Sequence, residues 1–166
     1  MRFVIEKYKS NAVFRVSLQF FNMEEIIQEK ISADHLLYVS LKYTKTGDVI
    51  INLILRWKSL INRCFDALLN EAKKRKKIKV VPSIPKQRIE TLKELFKSNA
   101  DVIKVVELYE FFNKIQALEK NVEHEYRKHL TLNVFYNGQW VAIDMEKLKE
   151  YSALLENFIS FVKQSF

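Results

Sequence analysis

Glycine, proline and cysteine are scarce in this sequence of 166 residues, which contains two glycines, two prolines and one cysteine. Sandwiches and barrels of many strands need tight turns, and such turns need more glycine and proline than this chain provides. A fold of long helices is therefore expected. The single cysteine, Cys64, excludes an internal disulfide and a cluster of thiolate metal ligands within one chain. This usage is typical of a reducing compartment, and we expect a cytoplasmic protein.

Long apolar runs are also missing. No run reaches the roughly 18 to 20 residues that a membrane-spanning helix requires, because charged or amide side chains interrupt each one. The initial segment, MRFVIEKYK, lacks the apolar core and the small-residue cleavage site of a signal peptide. We therefore expect neither secretion nor a membrane partner.

Positive charge is present in excess. The formal net charge is +8, while hydrophobic residues make up 48% of the chain. That hydrophobic share is typical of a globular protein, and the length fits one domain spanning residues 1–166. The charge favours polyanionic partners, because lysine and arginine release counterions when they neutralise phosphates. The backbone of RNA or DNA is the partner that this charge indicates.

Apolar residues recur every three or four positions along most of the chain, which predicts amphipathic helices. Asn22 is the predicted cap of the first helix, Thr46 of the longest, and Asp144 of the last. The predicted fold is mainly α, a bundle of about five to six helices. The predicted helices cover residues 23–30, 33–43, 48–76, 85–97, 101–128 and 145–166.

Two segments have the pattern of β structure instead. In residues 130–143, Asn137 and Gly138 can both take positive φ in a type I′ turn, which predicts a C-terminal β-hairpin. In residues 12–20, apolar and polar side chains alternate, so a strand and an N-terminal hairpin are predicted within residues 1–22. This N-terminal part would then be a β extension of the helical bundle.

The densest charge lies at the end of the longest predicted helix, in the sequence KKRKKIK. Such a cluster can bind the phosphate backbone of a nucleic acid without sequence specificity. An alternative interpretation is a solvated helix end, whose cations stabilise the negative end of the helix dipole. The predicted nucleic-acid-binding residues are Lys73, Lys74, Arg75, Lys76, Lys77, Lys79, Lys86 and Arg88.

Motifs for a metal, a cofactor or a nucleophile are not recognisable. The sequence HEYRKH places His124 and His129 five positions apart, whereas the zinc-protease motif needs histidines at i and i+4 on one helical face. His35 completes no ligand spacing, and two isolated glycines cannot form a phosphate-binding loop. Cys64 lies in an apolar helical stripe and is expected to be a small buried side chain rather than a reactive thiolate.

The sequence SLKYTKTGD, residues 40–48, gathers hydroxyl and lysine side chains before the longest predicted helix. A small anion pocket at the N-terminus of that helix is one interpretation. Capping of the helix explains the same residues nearly as well, so both interpretations stay open.

Residues 31–69, ISADHLLYVSLKYTKTGDVIINLILRWKSLINRCFDALL, and residues 117–129, ALEKNVEHEYRKH, carry a resemblance to a known family. The first segment resembles the opening helix pair of HEPN domains, which are helical bundles of prokaryotic toxin, antitoxin and defence systems. The second is similar to a later helix of that family. The resemblance covers residues 23–166 and rests on helix order and a loose pattern. It implies a helical bundle, a homodimer and a cognate protein partner.

Active HEPN domains are metal-independent ribonucleases with an arginine followed about four to six residues later by a histidine. Here the histidine after Arg127 is His129, two positions on. The leading prediction is therefore a noncatalytic HEPN-like domain that binds nucleic acid, a nucleotide or a protein partner through its basic surface. The alternatives are a ribonuclease that uses Arg127, His129 and His124, and an assembly module with no role in nucleic-acid binding.

Overall fold

The structure is a computed structural model that describes residues 12–166, with side chains described at Gln19 and from Asn22 onward. Within these residues the chain forms five main helices and one three-stranded antiparallel sheet, which confirms the predicted mainly α bundle with a β-hairpin. The helices are α1 (Ala12–His35), α2 (Gly47–Lys74), α3 (Pro85–Leu95), α4 (Ala100–Lys114) and α5 (Met145–Gln164). The strands are β1 (Lys120–Glu123), β2 (Thr131–Tyr136) and β3 (Gln139–Ile143), in that order across the sheet.

Helix α1 is continuous where two helices were predicted. It passes through Ser32 without a break and continues as a π-helical turn over Leu36–Ser40 and a last α-helical turn over Leu41–Tyr43. Ile26 on α1 and Leu37 in the π-helical turn are buried in the core. The helical segment ends just before the sequence TKTG, as predicted.

The start of α1 corrects two predictions. The strand predicted over residues 12–20 is wrong, since these residues lie in helix α1, and Asn22 lies inside the helix instead of capping it. No glycine or proline interrupts this stretch of the sequence, and extending an existing helix adds one hydrogen bond per residue. A two-stranded hairpin is only marginally stable by itself, so the helix prevails over the alternating pattern. The rest of the predicted N-terminal hairpin falls on residues 1–11, outside the described part of the chain.

Helix α2 is the central element of the bundle and contacts α1, α4 and α5. It begins at Gly47, where the Thr46 hydroxyl accepts a hydrogen bond from the Val49 amide at 3.4 Å, as expected of the predicted cap. Trp57 stacks on Phe112 of α4, with ring centroids 6.2 Å apart. The side chains that α2 buries include Ile50, Leu53, Ile54, Leu60, Ile61, Cys64, Phe65, Leu68 and Leu69.

Helix α4 ends at Lys114, so the helix predicted over residues 101–128 is too long. The second part of that segment forms β1 and a loop over residues 124–130, which we call the docked loop. Val122 and Tyr126 continue the apolar spacing of the predicted helix, which would place them on its buried face, but both are exposed. The helical spacing of apolar residues continues past the end of α4, and for that reason spacing alone places the end of the helix too late.

Lys120 marks the change from helix to strand. Its ammonium group donates hydrogen bonds to the carbonyl oxygens of Ile115, Gln116 and Leu118 at 2.7 to 3.0 Å. These acceptors lie just beyond the end of α4, where no further helical turn supplies amide partners for the carbonyl groups. Strand β1 then pairs with β2, a partner that lies later in the chain.

The predicted C-terminal hairpin is confirmed. Strands β2 and β3 pair with Val134 opposite Val141, and Asn137 and Gly138 connect them with φ values of 51° and 78°. Positive φ at both positions is the signature of the type I′ turn. The sheet packs its inner face, which includes Leu132, against the helical core.

Helix α5 closes the bundle. Its predicted cap is confirmed, because the Asp144 carboxylate accepts a hydrogen bond from the Lys147 amide at 2.8 Å. Leu155, Phe158 and Val162 of this helix are buried. Among the helices described, none has the length and apolar character needed to cross a membrane.

Candidate nucleic-acid interface

The docked loop packs against the turn that precedes α2. The Glu125 carboxylate accepts a hydrogen bond from the Gly47 amide at 3.0 Å, and the Tyr126 amide donates one to the Lys45 carbonyl oxygen at 2.6 Å. A Cβ atom at Gly47 would lie only 2.6 Å from a methyl group of Val122, so glycine permits this close approach. These contacts join segments that lie far apart in the sequence.

The N-terminus of α2 therefore already holds an anion of the chain itself. Amide groups and the dipole at a helix N-terminus attract negative charge, and here Glu125 supplies it. The Thr46 hydroxyl accepts a hydrogen bond from a second amide of the same turn, that of Val49. Of the two interpretations of SLKYTKTGD, these bonds support capping rather than an open anion pocket.

A groove with a volume of about 760 Å³ opens beside the docked loop. We call it the basic groove, because lysines from the end of the α1 segment and the turn that follows it, from the docked loop and from α5 line it together. The other lining residues are mostly apolar, with two carboxylates, Asp144 and Glu146. The cationic or titratable basic residues in the lining are Lys42, Lys45, Lys128, His129 and Lys149.

The four lysines of the basic groove have no carboxylate within salt-bridge distance in the part of the chain that the structure describes. Lys45 donates to the Lys42 carbonyl oxygen at 3.1 Å, which leaves its charge uncompensated. The Asp144 carboxylate is engaged in capping α5. Four lysines against two carboxylates leave an excess of positive charge in the lining.

Three exposed tyrosines accompany these lysines. Tyr38 lines the basic groove and is 55% exposed. Tyr43 is 78% exposed, and the Lys42 ammonium group lies 5.7 Å from the centre of its ring. Tyr126 is 77% exposed, and its amide is bonded to the Lys45 carbonyl oxygen. Aromatic rings beside lysines are a combination that proteins use to stack bases and bind phosphates.

The docked loop also carries backbone strain. His124 and Tyr126 have φ values of 57° and 63°, in the left-handed region. This conformation costs a residue other than glycine roughly 1–2 kcal/mol. Such residues persist where surrounding contacts hold them, and they cluster at binding sites. The Glu125 contact with Gly47 is one of the contacts that holds this loop.

The three residues predicted for a ribonuclease site are only partly brought together. His129 lines the basic groove, whereas His124 and Arg127 are exposed on the docked loop outside that lining. The Arg127 amide donates to the His124 carbonyl oxygen at 3.1 Å, within a series of turns. A helical metal motif cannot apply to this segment, because it is not helical. Over the described residues, no group of three or more histidine, cysteine and acidic side chains could hold a metal ion.

The predicted cluster at the end of α2 contains both paired and unpaired cations. Lys74 and Arg75 both pair with Glu71, and Arg75 also donates to the Ser165 carbonyl oxygen at 2.7 Å. The other four lysines are exposed and, among described residues, have no carboxylate within salt-bridge distance. This helix-end cluster consists of Lys73, Lys76, Lys77 and Lys79.

The turn that ends α2 determines how the helix-end cluster is presented. The Lys77 amide donates to the Ala72 carbonyl oxygen at 2.9 Å and the Lys76 amide to the Lys73 carbonyl oxygen at 3.0 Å. This is the Schellman motif, in which glycine usually holds the left-handed position. Here Lys76 holds it, with φ at 58°.

Lys86 and Arg88, also predicted as binding residues, lie on a different surface. They line a groove of about 590 Å³ between α3, α2 and α4. Arg88 pairs with Asp66, and Lys86 lies 4.0 Å from Glu90. Burial raises the pKa of Tyr109 in the same lining. The charges of Lys86 and Arg88 are therefore compensated, unlike those of the helix-end cluster.

The basic groove and the helix-end cluster lie at opposite ends of α2. That helix has 28 residues and is therefore about 42 Å long. Sequence patterns identified the helix-end cluster but not the groove, because Lys128, Lys149 and Tyr38 meet only after folding. The one signal in the sequence is the alternation of tyrosine with lysine or arginine in LKYTK and EYRK.

Cys64 is fully buried, as predicted, and burial raises the pKa of its thiol to about 12. A thiol that stays protonated at neutral pH is a poor nucleophile.

Comparison of the chain with models of known families, with curated proteins and with solved structures found no match. Function is therefore inferred from the geometry and charge of these surfaces.

Proposed function

We propose that this protein is a noncatalytic, HEPN-like domain of the cytoplasm that binds nucleic acid through the phosphate backbone. The observation that carries the proposal is the helix-end cluster, whose four lysines are exposed and lack carboxylate partners among the described residues. Backbone binding of this kind is driven by counterion release, so it is sequence-tolerant and falls steeply with salt.

Charge reversal tests the helix-end cluster. The variant K77E/K79E and the control K97E/K104E change the net charge equally, but the control lysines pair with Glu94 and Asp101. The affinity of K77E/K79E for an RNA oligonucleotide at low salt should fall about tenfold, and that of the control less than about threefold. Equal losses would contradict the assignment to the helix-end cluster. An absence of binding by the wild-type protein at low salt would contradict the function.

A metal-independent ribonuclease is the second candidate, and the position of His129 in the basic groove favours it. A histidine beside lysines can transfer a proton while the lysines hold the phosphate. The purified protein should then cleave RNA in EDTA, and His129→Ala should abolish cleavage while His35→Ala, at another exposed histidine, should not. RNA that stays intact after long incubation would exclude this candidate.

Assembly with a second copy or with a cognate protein is the third candidate. Helix α1 and the π-helical turn expose apolar side chains, among them Ile31 at 56% exposure and Val39, and exposed apolar side chains in one region favour protein contacts. Light scattering should report a dimer that Ile31→Glu dissociates and that Ile84→Glu, at an exposed position outside α1, leaves intact. A monomeric wild-type protein would exclude the homodimer.

A further inference from the structure

We infer that the basic groove is a second nucleic-acid site and that it takes an unpaired strand in preference to a duplex. The inference shares with the proposed function only the class of ligand, since the groove lies about 40 Å from the helix-end cluster along α2.

Phosphate groups would contact the lysines of the groove. Lys42, Lys45, Lys128 and Lys149 come from three separate segments and line one concavity, with no carboxylate partner in the described residues. Lysines that converge on a concave surface present more positive potential than the same lysines on a flat one. The volume of about 760 Å³ falls in the range of sites that enclose small ligands, so part of a strand can enter.

Bases would stack on the tyrosines. Tyr38 lies in the lining. Tyr43 and Tyr126 lie outside the lining but contact two of its lysines, Lys42 and Lys45, and all three tyrosines are exposed. A tyrosine can stack only on a base whose face is free, and in a duplex the neighbouring base pairs cover those faces. The tyrosines should therefore strengthen the binding of unpaired strands alone.

The docked loop gives a further reason to place a ligand here. Tyr126 is held with φ at 63° and its ring in solvent, although burial of a large aromatic ring would be favourable. Two observations in one residue, backbone strain and an exposed ring, are typical of a side chain presented to a ligand. The bonds from Glu125 to Gly47 and from Tyr126 to Lys45 fix this presentation.

Fluorescence anisotropy with two labelled RNAs tests the inference: an unpaired strand of about twelve nucleotides and a duplex of the same sequence. Tyr38→Ala should weaken binding of the unpaired strand about tenfold and of the duplex less than twofold, and Tyr38→Phe should restore it. The double variant K45A/K128A should weaken the binding of the unpaired strand at least as much as Tyr38→Ala does. Circular dichroism should show that each variant is folded.

The outcomes separate this inference from the proposed function. If K77E/K79E weakens the binding of both RNAs and Tyr38→Ala changes the binding of neither, the basic groove is not a binding site. The proposed backbone binding by the helix-end cluster is then still supported. If Tyr38→Ala weakens both RNAs equally, the preference for unpaired strands is wrong. If Tyr38→Ala weakens only the unpaired strand and K77E/K79E has no effect, the groove is the site and the proposed role of the helix-end cluster fails.

Discussion

The Glu125 carboxylate accepts a hydrogen bond from the Gly47 amide at 3.0 Å, across 78 positions of sequence. This bond neutralises the positive end of α2 and anchors the loop that carries Lys128 and His129. The shape of the basic groove therefore depends on a contact made outside it.

Removal of this carboxylate should loosen the docked loop. We expect Glu125→Ala to lower the free energy of unfolding by about 1 kcal/mol, because α2 loses both a hydrogen bond and a favourable charge. Hydrogen exchange of residues 124–130 should accelerate. Glu123→Ala, with the same change of charge in β1, should have less effect on both measurements. Similar effects for the two variants would contradict the anchoring role of Glu125.

Gly47 and Val122 should be energetically coupled. The methyl group of Gly47→Ala would lie 2.6 Å from a Val122 methyl group, so the variant should lose about 1–3 kcal/mol of stability to overpacking. In the double variant with Val122→Ala the clash is removed, and the loss should be smaller than the sum of the two single losses. Urea denaturation of the four proteins measures this. Additive losses would show that the two residues do not press on each other.

Lys76 should be destabilising at its position. Because it adopts the left-handed conformation that suits glycine, Lys76→Gly should raise the free energy of unfolding by about 1 kcal/mol. Lys76→Ala removes the same charge without relieving the strain, so it should not stabilise the protein. The two variants should lose the same small amount of RNA affinity. An equal thermal midpoint for Lys76→Gly and Lys76→Ala would contradict the claim that the backbone at Lys76 is strained.

The sequence was informative about caps and turns that local chemistry decides, except at Asn22, which lies inside α1. The Thr46 and Asp144 side chains cap helices in isolation from the rest of the fold, and Asn137 with Gly138 defines a turn from its own backbone preferences. The helix-end cluster could be predicted for the same reason, since its lysines are adjacent in the sequence.

Features that depend on distant partners escaped prediction. Strand β1 exists because β2 pairs with it, while its own residues continue the apolar spacing of α4. The same limitation applies to the basic groove, which depends on the bond between Glu125 and Gly47. At the N-terminal end, apolar and polar side chains alternate over residues 12–20 as in a strand, but these residues continue helix α1.

Stability should fall in alkaline solution partly through Cys64. Burial raises the pKa of this thiol from 9.0 to about 12, so the unfolded thiol ionises first. The contribution of the protonated thiol to the free energy of unfolding is therefore fully present below pH 9 and is lost as the pH rises from 9 towards 12. Tyr151, with a pKa also raised to about 12, adds a loss that begins near its ordinary value of 10.

Urea denaturation at neutral and alkaline pH can isolate the Cys64 contribution. Between pH 8 and pH 10.5 the wild-type protein should lose on the order of 1 kcal/mol more stability than Cys64→Ala, because the variant lacks the thiol contribution and keeps the others. Thiol reagents should modify Cys64 only when the protein unfolds. Parallel pH dependences for the two proteins, or rapid modification in native conditions, would contradict the burial of the thiol.

The salt dependence of RNA affinity tests whether this protein binds nucleic acid through its lysines. Each phosphate neutralised on a single strand contributes about 0.7 to the slope of log affinity against log salt, so four lysines of one surface predict a slope near −3. A titration of the wild-type protein with an unpaired RNA at several salt concentrations gives this value. A slope close to zero, or no binding at the lowest salt, would contradict binding through the phosphate backbone.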